Sequence, residues 1–267
     1  MFAARENGYA SAVRSSVPLL PIFVPWRFGQ TIQCNINLRS RRDASAPDPR
    51  LTLGVIAAPT ARRDVIDLCA DLAKLAGRVV VVLDTVDAAA AATLEEELRA
   101  SLREAGDGLV LVVGRQLDGD FATQRNQIQE RAVTDWVLQL DCDERLTDGT
   151  KRRLAAMIDD AEREGWSAVG LTRRNVVDGM VSALYPDVQY RLLRRSVRYT
   201  RAVHEYPLLR HDQKSFVHLG AEIIHRLDGE RLLRREAFYE AIQDGAGRTD
   251  DTALLRMPLE SDVRLPA

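Results

Sequence analysis

The acids of the stretch VLQLDCDER have the types and spacing best suited to chemistry. Asp141 and Asp143 stand two apart, with Glu144 beside them, directly after an apolar run. Where a strand ends and the chain turns, two such carboxylates can approach one cation. Hard ions such as Mg²⁺ or Mn²⁺ take oxygen ligands and keep waters and substrate phosphates as the rest of their shell. An Asp-x-Asp at a strand's carboxyl end therefore suits a metal–diphosphate, the metal neutralising charge on a departing diphosphate. The plainer alternative is an acidic turn capping the next helix. Asp84 and Asp87 close another apolar run, where a polar turn could use them. Cys142, between two carboxylates, is expected to be an unreactive thiol, because adjacent negative charge raises its pKa.

These acids need a scaffold, and its pattern is regular. LTLGVIA (51–57), RVVVVLD (78–84), LVLVVG (109–114) and DWVLQLD (135–141) read as strands. Segments 62–76, 93–106 and 119–132 have helical spacing; Gly77 and Gly106 are expected to end the first two, and Asp118 or Asp120 to cap the third. Apolar strands alternating with helices indicate an α/β fold with a parallel sheet covered on both faces. In such sheets ligands bind beyond the carboxyl ends of the strands. Further on, 147–165 predicts an amphipathic helix, 167–177 and 188–195 strands, and 230–242 a helix. The polar tail from Gly245 is expected to be loosely ordered.

Lys plus Arg is 37 against 39 Asp plus Glu, a net charge of −2 that argues against broad binding to nucleic acid. Three cysteines without a CxxC pair argue against a disulfide framework or structural zinc, which makes a reducing, cytoplasmic compartment the expectation. The apolar stretch 17–26 is too short and too proline-rich for a membrane span. It reads as an extended arm, with a peripheral membrane contact or a partner-binding strand as alternatives. Residues 39–50, RSRRDASAPDPR, read as a linker.

The stretch GDFATQRNQIQERAVTDWVLQLDCDERLT resembles the family 2 glycosyltransferases of GT-A fold. Gln124-Arg125-Asn126 is similar to their Arg-Asn helix, Asp135-Trp136 to their Trp-containing strand, and Asp141-Cys142-Asp143-Glu144 to their acidic motif. YPDVQYRLLRR (185–195), Val203-His204-Glu205 and the strand 220–225 ending in His225 are similar to later family segments. The resemblance is closest to bacterial transferases acting on lipopolysaccharide cores, capsules and small acceptors. It implies a Rossmann-like GT-A fold: a mostly parallel central sheet with helices on both faces and a small mixed sheet on the acceptor side. It covers one domain over 51–230 (a nucleotide-sugar half, 51–147, and an acceptor half, 148–230), flanked by the arm and linker over 1–50 and a C-terminal helix and tail over 231–267.

The activity so implied is a hexosyltransferase-like, inverting, metal-dependent transfer of a sugar from a nucleotide diphosphate sugar to a hydroxyl acceptor, be it a glycan, a lipid-linked molecule or a small one. Mn²⁺ or Mg²⁺ would be held by Asp141, Asp143 and His225, although His204 could replace His225 or simply orient Glu205. Glu205 is the candidate base. Asp84, Asp87, Arg125, Asn126, Asp141 and Arg191 are the candidate donor contacts, and Arg191 and Arg194 read as one strand face. His211 and His218 read as surface or structural. Ala58-Pro59-Thr60 and Asp84-Thr85-Val86-Asp87 depart from the family's usual donor loops, which keeps a non-catalytic nucleotide-binding or scaffold protein as an alternative. A nucleotidyltransferase is disfavoured by the glycine-free loop 58–63, and a haloacid dehalogenase-type phosphatase by Arg145 two residues after Asp143.

Overall fold

Along RVVVVL the side chains alternate, and both sides of the strand are buried. Val79, Val81 and Leu83 join the large core, while Val80 and Val82 join a smaller one with Ile128, Ala132 and Val137. A strand buried on both faces must be sandwiched between helices, as its sequence predicts. A computed structural model describes residues 47–103, 109–247 and 249–259, all within the compact unit Ile32–Glu260. The expected arm and most of the linker, residues 1–46, lie outside the described residues.

The strands β1 (Asp48–Ala57), β2 (Ala76–Leu83), β3 (Leu109–Gly114) and β4 (Trp136–Asp141) run parallel in the order β3-β2-β1-β4. The helices α1 (Arg62–Leu72) and α2 (Ala88–Ser101) bury Val65, Leu68, Leu94 and Leu98 on one face, and α3 (Phe121–Arg131) buries Ile128 on the other. Then follow β5 (Glu144–Leu146), α4 (Asp148–Glu164), β6 (Trp166–Val177), β7 (Met180–Val181) and β8 (Asp187–Arg194). The chain continues through β9 (Arg198–Thr200), β10 (Tyr206–Leu208), β11 (Lys214–Leu227), α5 (Gly229–Ile242) and α6 (Thr249–Arg256). Antiparallel β8 joins β4 to β6; β11 lies parallel to β6, and β5 closes the edge antiparallel to β11. The result is the expected α/β architecture, a mostly parallel central sheet with helices on both faces. No helix among the described residues is long and apolar enough to cross a membrane.

Several details differ from the sequence reading. The acceptor-half strands extend the central sheet, and the separate small sheet is only the antiparallel pair β9–β10. Strand β1 starts inside the expected linker, at Asp48, where Arg50 ties the strand start to α4 through Asp48, Asp159 and Glu162. Helix α1 stops at Leu72 instead of running to Gly77, because Ala76 pairs with Asp48 and opens β2. Helix α2 starts at Ala88 rather than residue 93, since Asp87 caps it by accepting from Ala89 N–H and the alanines that follow are the best helix formers. The expected loose tail instead contains α6.

Gly54 on β1 explains how α3 comes so close to the sheet. A Cβ at Gly54 would collide with Ile128 Cγ2, so the missing side chain is what lets the helix carrying Arg125 lie against β1. Gly54→Ala should destabilise the protein by about 1–3 kcal/mol, the usual cost of overpacking; an unchanged denaturation midpoint would show that α3 can shift freely. His218, on β11, is buried with neither ring nitrogen hydrogen-bonded, and burial lowers its pKa. The unfolded chain then takes up a proton first as pH falls, so stability is full above about pH 6.5 and declines below it. His218→Leu should flatten the decline in denaturation free energy between about pH 7 and about pH 5.5.

Candidate functional site

At the carboxyl end of β4 the sheet forks. β4 and β8 pair from Trp136↔Arg194 to Leu138↔Leu192 and then part. Arg191 is the next β8 residue, beside an irregularity in the β6–β8 register, and its guanidinium fills the fork. Arg191 Nη2 donates to Asp141 Oδ2 and to Glu144 Oε1, each at 2.7 Å. From the other side Arg125 Nη2, on α3, donates to Asp141 Oδ1 at 2.6 Å. Both oxygens of Asp141 are therefore held by arginines. Burial alone would raise the Asp141 pKa, but Arg125 and Arg191 outweigh it and hold the carboxyl far below its usual range.

The network continues inward. Glu144 has no exposed side-chain surface; its Oε2 accepts from Asp141 N–H and its Oε1 from Arg173 Nη1 at 3.1 Å. Arg173 also binds Asp187 Oδ2 at 2.7 Å, and Asn175 Nδ2 donates to that same Asp187 oxygen. Three neighbouring strands carry the centre of this cluster: His225 on β11 is level with Asn175 on β6 and Glu144 on β5.

Asn175 fixes the tautomer of His225. Because Asn175 Nδ2 is committed to Asp187, its Oδ1 faces the imidazole, and it can only accept. His225 Nδ1–H must therefore be the donor, at 2.8 Å. In the neutral ring the Nε2 lone pair then looks at Asp143 Oδ2, 3.5 Å away. Asn175 is the kind of outer partner that orients a ligating histidine, and Asp143 and His225 are the two side chains that would hold a cation here. Arg231, at the start of α5, reaches the same Asp143 oxygen at 2.8 Å with a side chain 46% exposed. Of the three residues expected at a metal, the structure thus brings Asp143 and His225 together and gives Asp141 to the arginines. Among the described residues no three His, Cys, Asp or Glu side chains converge as a metal cluster.

Glu205 lies in the loop between β9 and β10, and its Oε1 accepts from Arg125 Nε. The loop is held from several directions. Asn126 clasps both backbone groups of Tyr199, Phe121 N–H donates to Ala202 O, and His204 Nε2 meets Ala246 O at 2.7 Å. Arg201 and His204 both take positive φ, 76° and 51°, which turns the chain sharply at Glu205. Tyr239 of α5 packs edge-on against His204.

The remaining candidates fall outside this cluster. Asn126 uses its whole amide on the β9 backbone. Asp87 caps α2, and Asp84 accepts from Leu117 N–H. Arg194 does not share a face with Arg191: it stacks over Trp136, 4.4 Å from the ring centroid. Cys142 has its pKa raised to about 12, by burial first and by Asp143 and Asp141 second. The sequence reading missed Arg173, Asn175, Asp187 and Arg231; the one available signal was the polar run Arg173-Arg174-Asn175 inside an otherwise apolar strand.

No protein-family model and no curated protein matches the chain. Among solved structures it is similar to S. aureus TarS, residues 1-349, at 15% identity and a TM-score of 0.45, covering 72% of this chain and 64% of that one. The same protein in complex with UDP is 15% identical at a TM-score of 0.45, covering 76% and 69%. Its complex with UDP-GlcNAc is 14% identical at 0.43, covering 76% and 70%. This chain thus spans less than two thirds of the first of these structures.

The ion network makes its own prediction. Arg191→Met would leave Glu144 and Asp141 without a shared partner. It should destabilise the fold by about 3–5 kcal/mol, as breaking buried pairs does. Chemical denaturation reads this directly, and a variant as stable as the parent would mean that Arg191 is dispensable to the fold.

Proposed function

We propose that the chain transfers a sugar from a nucleotide diphosphate sugar to a hydroxyl acceptor, with a divalent cation and with inversion at the anomeric carbon. The observation that carries this reading is the facing pair of Asp143 Oδ2 and His225 Nε2, at the strand ends where α/β sheets bind ligands. A bound Mn²⁺ or Mg²⁺ would neutralise charge on the leaving diphosphate. Asp143 and His225 are the residues to hold it, Arg231 giving way. Arg125 and Arg191 keep Asp141 anionic and rigid beside them.

Glu205 serves as the base. Arg125 fixes its Oε1, and Oε2 takes no hydrogen bond from the described residues. The acceptor oxygen bonds to the anomeric carbon as the bond from that carbon to the diphosphate oxygen breaks. The hydroxyl proton passes to Glu205, and the electron pair leaves with the diphosphate. A nucleotide-binding protein without transfer is the second reading. It is favoured by Asp84 and Asp87, which are engaged in loop and cap hydrogen bonds rather than standing open to a donor.

Melting temperatures with UDP, GDP, TDP and CDP, each with and without Mn²⁺, should single out one nucleotide. Asp143→Ala should lose the Mn²⁺-dependent part of that stabilisation. Glu205→Gln should keep it while transfer falls by about 10²–10⁴-fold. Transfer at the parent rate by Glu205→Gln would remove the base assignment. Nucleotide binding with no nucleoside diphosphate released from any sugar donor would favour the second reading.

A further inference from the structure

One concave stretch of the surface is unusually apolar. A cavity of about 330 Å³ opens between the end of β6, β7, the start of α5 and the end of α6. Its floor is Val177 and Leu255, both in a small apolar core with Leu227 and Leu232. Its walls are Met180, Leu233 and Met257, which are 53%, 48% and 55% exposed. Few large apolar side chains are so exposed among the described residues, and three of them line this one cavity. Exposed apolar surface gathered into a concavity marks a binding site rather than chance exposure. Two of the three are methionines, whose flexible thioethers adapt to ligands of varied shape.

The walls are also firmly built. Ser182 Oγ donates to Leu254 O, Ala183 N–H to Met257 O and Leu259 N–H to Val181 O, stitching the end of α6 to the segment after β6. The cavity is linked to the candidate site through the chain. Val177 lies two residues beyond Asn175 on β6, roughly 7 Å along the strand. Gly229 and Glu230 line the cavity, and Arg231, the next residue, reaches Asp143. The rim carries Asp178, Glu230 and Arg256, two acids against one base, which does not suit an anionic ligand.

We infer that this cavity is an acceptor subsite that takes the apolar, alkyl-chain portion of a hydroxyl-bearing acceptor, holding that molecule on the Arg231 side of Asp143. The inference rests on the transferase reading for the word acceptor, but the alkyl preference stands or falls by itself.

The test uses the full chain and a series of alkyl β-D-glucosides, from methyl to octyl, below micelle-forming concentrations, with affinity read by calorimetry. Affinity should rise with chain length, by about tenfold or more across the series, as burial of successive methylenes requires. Met180→Gln and Leu233→Gln should each weaken the octyl compound and leave the methyl compound unchanged. Both should keep the parent's nucleotide-dependent melting shift, which separates this subsite from the donor site. If Glu205→Gln transfers normally but the length dependence holds, the base assignment fails and the subsite survives. Length dependence that persists in both variants would place the alkyl chain elsewhere and overturn the inference. No length dependence in the parent would mean that the cavity is filled from within the chain. A dimer seen by light scattering and lost in Leu233→Gln would assign the surface to a second copy. Binding to phosphatidylglycerol vesicles without discrimination among the glucosides would make it a membrane contact. Each of these last three outcomes also overturns it.

Discussion

Asp141 sits between Arg125 and Arg191, and the candidate site is built outward from that pairing. An ionised carboxylate at the end of a buried strand is costly unless its charge is matched and its lone pairs are filled. Here two guanidiniums do both, one from a helix on one face of the sheet and one from an antiparallel strand. Each arginine then has to be satisfied in turn: Arg125 by Glu205, and Arg191 by Glu144. Glu144, wholly buried, recruits Arg173, and Arg173 recruits Asp187. Burial pulls against the charged form of every arginine in the series, and the facing carboxylates reverse it. The polar core therefore follows from one buried strand-end acid, each added charge requiring the next.

That requirement explains the sheet. A purely parallel arrangement would bring strand ends together but no long cationic side chain into the sheet beyond β4. Inserting antiparallel β8 between β4 and β6, and letting it part from β4 after Leu138, makes a wedge into which Arg191 fits. The absence of a side chain at Gly54 does the same for Arg125, by letting α3 lie against β1. Asn126, next on that helix, clamps Tyr199, so the helix that delivers Arg125 also fixes the strand leading to Glu205.

What was legible in the sequence was whatever depends on local pattern. The four parallel strands, α3 with its Asp120 cap and α4 with its Gly165 end follow from periodicity and capping residues. The acidic motif was legible because three acids after a buried strand demand an explanation. The limits of α1 and α2 were not, because they are decided by pairing of Ala76 with Asp48, distant in sequence, and by Asp87 outcompeting the expected start. Arg173, Asn175 and Asp187 were hidden for a similar reason. An arginine inside a strand looks the same whether it faces water or a buried glutamate, and only the register across β6, β11 and β5 separates the two.

The two aspartates of the motif consequently have different surroundings. Asp141 is the last residue of β4, fixed by the ladder and held by two arginines that are themselves almost fully buried. Asp143 lies in the turn beyond, opposite a histidine whose tautomer is set by Asn175, and its one guanidinium, from Arg231, is half in solvent. Along the network the carboxylates are Glu205, Asp141, Glu144, Asp187 and Asp143, and the guanidiniums are Arg125, Arg191, Arg173 and Arg231, one fewer. The first three guanidiniums are locked among the first four acids, and Asp143 is left with Arg231, whose side chain is 46% exposed. Hydrogen-bond direction and the exposure of Arg231 thus mark Asp143 and His225 as the adjustable part of the site, with Asp141 as its fixed support.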